Sequence, residues 1–598
     1  MTAGASWPHV PPAGRPATDS APAALPAPHP LLCAVVVVPA RNEAERIEAC
    51  LLALAAPQGV AGGQYEVIVV LDGCVDATPQ RVRELAAELP GMTLHTLAWQ
   101  PPQGVGRARR IAMDLACERL LTLGRPHGLI ASTDADSIVA EDWLAAQLGL
   151  IEAGACAIGG HIELHEAEVY ELPAAVRRDR ERRARERLAA VLASAPPRSV
   201  SEHHHFSGAS LGLTAQTYRE CGGLPARAAL EDEALERELG QRGIPIHRSR
   251  AVRVWTSART DGRAPRGLAR DLALSSWRAR RTYRAEQFPL PRLLAAKDAS
   301  IALVLPAREV AATIGPIAEH AARLRDVGLL DEVLVVDAAS SDGSAEIAEQ
   351  AGLPVVQENE LARELGVARG KGDAMWRALG AVESEIVAFA DTDTEDFHEH
   401  FLTGLLGPLL CEPAVALVKG SFQRPFRAHD MLLAHGGGRV TELLARPLLN
   451  LHAPELAAFD QPLAGELAAR RTLLEQIPFS AGYGVEIAML IDAWRIVGLD
   501  GLAQVELGSR QNRHQPLRDL SAMAYAVLVA AQTRFLGAAF ADAHAAGSIS
   551  LPPLYGGAPV ETRLVTIDER PPLAQWRASR AGAATAAEPI PVSEPARA

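Results

Sequence analysis

The sequence predicts an α/β protein made of two consecutive layers, each a mostly parallel sheet flanked by helices. Three observations predict it. Short, uninterrupted apolar runs read as strands buried on both faces, the pattern of parallel sheets covered by helices. Each run ends in an acidic or polar cluster, at the carboxyl edge where such sheets bind their ligands. The same strand ends occur twice in the same order: Pro39 and Pro306, Asp72 and Asp337, and Asp134 and Asp391 are 267, 265 and 257 residues apart. The chain is an internal duplication.

Residues 1–30, rich in Pro and Ala without apolar periodicity, read as a disordered leader. The first layer, 31–290, opens with the apolar run 34–38, then Pro39-Ala40-Arg41-Asn42-Glu43 and a helical pattern through Leu54. Its second strand, 67–71, runs into Asp72-Gly73-Cys74-Val75-Asp76, and its third, 128–133, into Asp134-Ala135-Asp136. The second layer, 298–576, opens with 301–305 and Pro306-Ala307-Arg308-Glu309. Its next strands, 332–336 and 385–390, run into Asp337-Ala338-Ala339-Ser340 and Asp391-Thr392-Asp393. The boundary is placed near residue 290, and from about Arg577 the chain again reads as a disordered tail.

The 598 residues are 48% hydrophobic and 22% charged, which is globular composition, and too long for one ordinary core. A formal charge of −13 argues against a nucleic-acid partner. No apolar run reaches the roughly 18 uncharged residues of a membrane span. The longest, 523–539, contains Gln532 and Arg534 and is expected to pack on a domain or in a homodimer. Seven scattered cysteines, and no basic segment leading into an apolar one at the N-terminus, predict a cytoplasmic protein without disulfides. Only three of the 59 basic residues are lysines, Lys297, Lys371 and Lys419, so a lysine set in a glycine-rich turn invites a specific role.

An Asp-Xaa-Asp after a buried strand has two readings. The carboxylates cap a helix and start a turn, or they hold a hard divalent cation that bridges a diphosphate and neutralises its charge as it leaves. Recurrence in both copies, each with a strand-end Asp upstream, favours the cation. Other charged features are discounted. His203-His204-His205 lies in a loop where adjacent rings are expected to face different ways, and the charged stretch 177–187 reads as a solvated helical face.

These motifs resemble the GT-A-type nucleotide-sugar glycosyltransferases, so the fold expected is two tandem GT-A-type, Rossmann-like domains. From about 33 to 270 the chain is similar to family 2 glycosyltransferases. That resemblance implies that Pro39, Asn42 and Asp72 contact a nucleotide, and that Gly106-Arg107-Ala108-Arg109, Asp134 and Asp136 serve its diphosphate and metal. It also implies that Asp232, in Leu230-Glu231-Asp232-Glu233 after Gly208-Ala209-Ser210, is the general base of an inverting transfer.

From about 299 to 534 the chain is similar to the glucosyl-3-phosphoglycerate synthases, retaining transferases. The strings are Gly370-Lys371-Gly372-Asp373-Ala374-Met375-Trp376-Arg377, Gly436-Gly437-Gly438-Arg439-Val440-Thr441-Glu442-Leu443, Gln461 to Glu466, and Pro478 to Ile487. The resemblance implies UDP-glucose as donor, 3-phosphoglycerate as acceptor and Mg2+ or Mn2+ as cofactor. It places the donor on Pro306, Ala307, Glu309, Ser340, Lys371, Asp391 and Thr392. The acceptor falls on Gly438, Arg439, Val440 and Thr441, and the sugar pocket on Tyr483 and Glu486. Lys371 and Glu486 are the groups expected to act in the transfer, with the metal on Asp393 and His514. Two departures stand out: Arg308-Glu309-Val310 replaces Leu-Asn-Glu, and Asn512 aligns with a metal-binding His, which makes His514 the expected ligand instead. A mannosyl-3-phosphoglycerate synthase using GDP-mannose, and a first half that is a non-catalytic nucleotide-binding or dimerisation scaffold, remain as alternatives.

Overall fold

The computed structural model describes residues 25–225, 230–262, 267–424, 426–428, 431–433, 438–510, 516–552 and 560–586. Their contacts divide the chain into two compact units, with the division between Ser276 and Trp277.

Among the described residues of the first unit, nine strands form one sheet: β1 (Ala34–Ala40), β2 (Tyr65–Asp72), β3 (Leu94–Trp99), β4 (Leu129–Ser132), β5 (Ser137–Val139), β6 (Ala157–Leu164), β7 (Val200–Ser201), β8 (Leu211–Thr214) and β9 (Ile246–Thr256). Their order is β3-β2-β1-β4-β8-β6-β9-β5, with β7 beside β9. The fully buried β1 explains the apolar run. Val36 and Val38 pack with Ile47, Leu51 and Trp143 on one face, and Val35 and Val37 with Ala112 and Leu213 on the other. A strand covered on both sides has no solvent face to carry polar residues, and each valine so buried contributes roughly 1.5–3 kcal/mol.

The second unit repeats the plan. Its main strands are β10 (Thr282–Arg284), β11 (Ile301–Ala307), β12 (Glu332–Asp337), β13 (Val355–Gln357), β14 (Ile386–Phe389) and β15 (Leu417–Gln423). A hairpin of β16 (Phe426–Ala428) and β17 (Met431–Leu433) precedes β18 (Leu467–Arg470). Then come β19 (Phe479–Ser480), β20 (Leu502–Ser509), β21 (Ser548–Leu551), β22 (Glu561–Leu564) and β23 (Glu569–Arg570), where β19 pairs β23 and β21 pairs β22. The sheet order is β10-β20-β15-β18-β14-β11-β12-β13. In the first unit β3-β2-β1-β4-β8-β6-β9 follows the same path as β13-β12-β11-β14-β18-β15-β20 in the second. In both, the fifth strand of that path, β8 or β18, is antiparallel to its neighbours and the remaining pairs are parallel.

Three expectations about the ends and the boundary are corrected. Residues 277–290 belong with the second unit: the Trp277 indole donates to Leu499 O and Leu502 O at 2.9 and 3.1 Å, and β10 pairs β20. The leader is structured by residue 25, where Leu25 packs on the first core and Pro26 O accepts from Arg119 Nη1 at 2.8 Å. Instead of a disordered tail from Arg577, a helix spans Leu573–Ala586, with Leu573 buried and Trp576 edge-on to Trp376 at 5.1 Å. The apolar stretch near residue 530 forms the helix Asp519–Leu536, whose Val527, Ala530 and Ala531 join the core of the second unit. Among the described residues no helix is long and apolar enough to cross a membrane.

Candidate functional site

In the second unit the candidate residues converge at the carboxyl edge of β11 and β14. Lys371 opens the helix Lys371–Ala381, and its Nζ donates to Asp391 Oδ1 at 2.5 Å and to Glu486 Oε1, in the first turn of the helix Val485–Val497, at 2.8 Å. Its flanking glycines are steric necessities. A Cβ on Gly372 would lie 1.8 Å from Ser480 O, and one on Gly370, at φ +123°, 3.2 Å from Ala481 O. Gly465 is equally constrained, since its Cβ would meet Asp391 Oδ1 at 2.3 Å. Burial alone would lower the lysine pKa, but the two carboxylates outweigh it and raise the pKa, so the ammonium stays charged. Burial likewise opposes ionisation of Asp391, yet Lys371 and Arg510 hold it below the usual carboxylate range.

Around this pair lies a buried charged network that the sequence did not single out. Arg510, just beyond β20, donates from Nη1 to Glu466 Oε2 at 2.5 Å and from Nη2 to Asp391 Oδ2 and Asp393 Oδ1 at 3.0 and 3.1 Å. Glu466 is fully buried, and burial pushes it up to about 7 in spite of Arg510. Lys419, also buried, donates to Ala464 O at 2.8 Å and is lowered by burial to about 8. Arg424 and Arg510 both lie against the Phe422 ring, 4.9 and 5.1 Å from its centre. Glu466 ends the stretch Gln461 to Glu466, but pairings 44 and 117 residues apart leave no local signal.

The donor-side residues are ordered by one another. Glu309 adopts φ +52°, the left-handed conformation that Asn tolerates better; Asn42 holds it in the first unit at φ +55°. The Glu309 N–H donates to Ser340 Oγ at 3.0 Å, and its carboxylate accepts from Ser341 N at 2.9 Å. Glu309 thus stands at the turn position of the family's Asn, and the next position, the family's Glu, is Val310 on the core. Thr392 Oγ1 donates to Pro306 O at 2.6 Å, tying the acidic triplet to the end of β11, while Ala307 is buried in that strand. Asp337 keeps one buried oxygen, Oδ1, without a hydrogen-bond partner while Oδ2 accepts from Ser340 N and Gln357 Nε2, both at 3.0 Å. That orphaned acceptor is a donor-contact candidate absent from the expected set. Gly438, at φ +71°, leads through Arg439 and Val440 into the helical turn Thr441–Ala445, with Thr441 buried and Tyr483 half-exposed. Asp393 carries a side chain 55% exposed, and two hard carboxylates beside open solvent suit Mg2+ or Mn2+. His514 and Asn512 lie outside the described residues.

In the first unit Pro39 is buried in β1, and Asp72 is oriented by internal hydrogen bonds: it accepts from Trp99 Nε1 and Gln103 N at 2.7 Å and from Gly104 N at 2.8 Å. Asn42 Oδ1 accepts from Val75 N at 2.8 Å. Arg109 is buried, pairing with Asp134 Oδ1 at 2.8 Å and Glu231 Oε1 at 3.1 Å, and a Cβ on Gly208 would collide with it. Glu231 is therefore buried and paired. Asp232 Oδ2 accepts from Gly208 N at 3.0 Å, which fixes it beside this cluster. Arg259, unforeseen, pairs with Glu43 at 2.7 Å and Asp136 Oδ2 at 2.9 Å. Asp136 is raised to about 6 by burial and by Asp134. Two of the loop histidines do converge with His161 of β6: His161, His203 and His205 have ring centres 5.2–5.6 Å apart. Among the described residues, no group of three or more His, Cys, Asp or Glu has the arrangement of a metal site.

The glycosyl transferase family 2 profile matches residues 35–199 and 303–434, one stretch in each unit. The glucosyl-3-phosphoglycerate synthase of Mycolicibacterium paratuberculosis is 43% identical over 263 residues, 43% of this chain and 80% of its own length. The chain belongs to glycosyl transferase family 2. It is a nucleotide-sugar glycosyltransferase. Of solved structures, the mannosyl-3-phosphoglycerate synthase of Rubrobacter xylanophilus is 41% identical with a TM-score of 0.46, covering 51% of this chain and 98% of its own. The glucosyl-3-phosphoglycerate synthase of Mycobacterium tuberculosis in complex with Mn2+, UDP-glucose and phosphoglyceric acid is 39% identical with a TM-score of 0.44, covering 48% of this chain and 95% of its own.

Proposed function

We propose that the second unit transfers glucose, with retention, from UDP-glucose to 3-phosphoglycerate, and that the first unit is a second transferase with its own acceptor. The observation that carries the first part is the Lys371 ammonium between Asp391 and Glu486, built on the strings that resemble the glucosyl-3-phosphoglycerate synthases. Lys371 is a compact cation at the strand ends where a nucleotide's phosphates lie. Asp391 and Glu486 keep it protonated, and Glu486 is engaged in that ion pair. A retaining transfer in which the leaving diphosphate takes the acceptor proton needs no enzymic base. Gly438 to Thr441 open a helical turn whose backbone N–H groups, with the Arg439 guanidinium, suit a phosphorylated, carboxylated acceptor. A divalent cation, Mg2+ or Mn2+, held by Asp393 with His514, would withdraw charge from the departing diphosphate.

The test is transfer to 3-phosphoglycerate with UDP-glucose and GDP-mannose in parallel, with Asp393→Ala as control. UDP release that requires phosphoglycerate and disappears in the variant is the expected result. Equal or better turnover with GDP-mannose would reassign the sugar. No acceptor-dependent release with either donor would reject the assignment.

A further inference from the structure

The two sheets share one strand plan but differ at the place where a metal ligand is expected. β9 ends at Thr256 and β20 at Ser509, and the third residue beyond each is Arg259 in the first unit and Asn512 in the second. An amide, or the imidazole of His514 two residues on, offers a lone pair to a cation. A guanidinium has five donors and no acceptor, so it cannot ligate one.

Arg259 reaches the carboxylates that a cation would need. Its Nη1 and Nη2 donate to the two Glu43 oxygens at 2.8 and 2.7 Å, and Nη2 lies 2.9 Å from Asp136 Oδ2. The Arg259 and Asp136 side chains are only 12% and 16% exposed. Asp134 is committed too, to the buried guanidinium of Arg109, which Glu231 and Gly208 O hold in place. Asp261, at the position of His514, is exposed. Both carboxylates of Asp134-Ala135-Asp136 therefore already carry guanidinium counter-ions, and this donor set does not fit a divalent cation. The second unit differs although Lys371 and Arg510 reach its carboxylates, because the Asp393 side chain is 55% exposed to solvent where that of Asp136 is 16% exposed.

We propose that the first unit's site holds no divalent cation and that Arg259 supplies the positive charge for the diphosphate of a bound nucleotide. This rests on the reading of the first unit as a nucleotide-sugar site. A planar guanidinium matches phosphate oxygens in a bidentate fork and stays charged at any working pH.

The full-length protein tests it by Mn2+ titration followed by electron paramagnetic resonance, with saturating UDP. A single Mn2+ per chain is expected, lost in Asp393→Ala and unaffected by Asp136→Asn. A second Mn2+ that survives Asp393→Ala and disappears in Asp136→Asn overturns the proposal. In a second measurement, calorimetric UDP binding by the Asp393→Ala protein in EDTA is expected to weaken at least ten-fold on Arg259→Gln and to recover in part with Arg259→Lys. Unchanged UDP binding in Arg259→Gln removes Arg259 from the site while leaving the metal count to stand. No UDP binding by the first unit, with or without Mn2+, overturns the role of Arg259 together with the transferase reading on which it rests.

Discussion

Lys371 combines position and charge in one residue. Replacing it by Met strips the shared counter-ion from Asp391 and Glu486 and, on the proposed reading, removes a cation from the phosphate end of the site. Transfer to 3-phosphoglycerate is expected to fall by roughly 10²–10³-fold, read as UDP release under single-turnover conditions. Lys371→Arg should rescue little, since a planar fork does not fill the place of a point charge. Gly372→Ala is a structural counterpart: with its Cβ 1.8 Å from Ser480 O the helix start must shift, costing on the order of 1–3 kcal/mol in urea unfolding. Both were legible because a lysine between glycines is conspicuous in a chain with so few lysines. Arg510, Glu466 and Arg259 were not, because an ion pair joining distant strand ends leaves no periodicity, and each arginine was one of many. Asp72 shows the same limit: a strand-end carboxylate is visible in sequence, but the Trp99 indole and two backbone N–H groups that bind it are not.

At the level of elements, the C-terminal helix and β23 close the second unit around Asp373. This fully buried carboxylate accepts from Arg377 Nε at 3.2 Å and from Arg570 Nε and Nη2 at 2.8 and 2.7 Å. Asp373→Ala leaves guanidinium groups buried without their partner and is expected to cost about 3–5 kcal/mol, measurable as a lowered urea midpoint. Ending the chain after Pro572 removes Leu573 and Trp576 from the core while keeping β23, so a comparable loss, roughly 1.5–3 kcal/mol for each buried side chain, should follow. The strands and acidic turns were readable because burial on both faces imposes an apolar run and chain reversal imposes its own residues. The C-terminal helix was missed because alanine-rich sequence reads equally as low complexity and as strong helix former, and only the Trp376 surface it covers decides between them.

For the whole molecule, the two units should respond to pH in opposite senses. In the first, burial above all holds His203 and His204 near 4 and His205 near 2, with the neighbouring imidazoles adding to the depression. An unfolded chain takes up these protons near pH 6.5, so between about 6.5 and 4 the unfolded state binds more of them. The first unit therefore loses stability as pH falls through that window, by at most about 1.4 kcal/mol per pH unit for each imidazole. In the second unit Glu466, raised to about 7, favours the folded state below the ordinary Glu value and loses that advantage as pH rises through 7. Calorimetry at pH 7 and pH 5 should show the first unit's transition falling relative to the second's, and His205→Asn should reduce the shift. Finally, the repeated sheet lies on a single polypeptide, so every ribosome that completes it makes both units in equal number. No change in gene expression can alter their ratio. Any adjustment of one unit against the other has to be made within the units themselves.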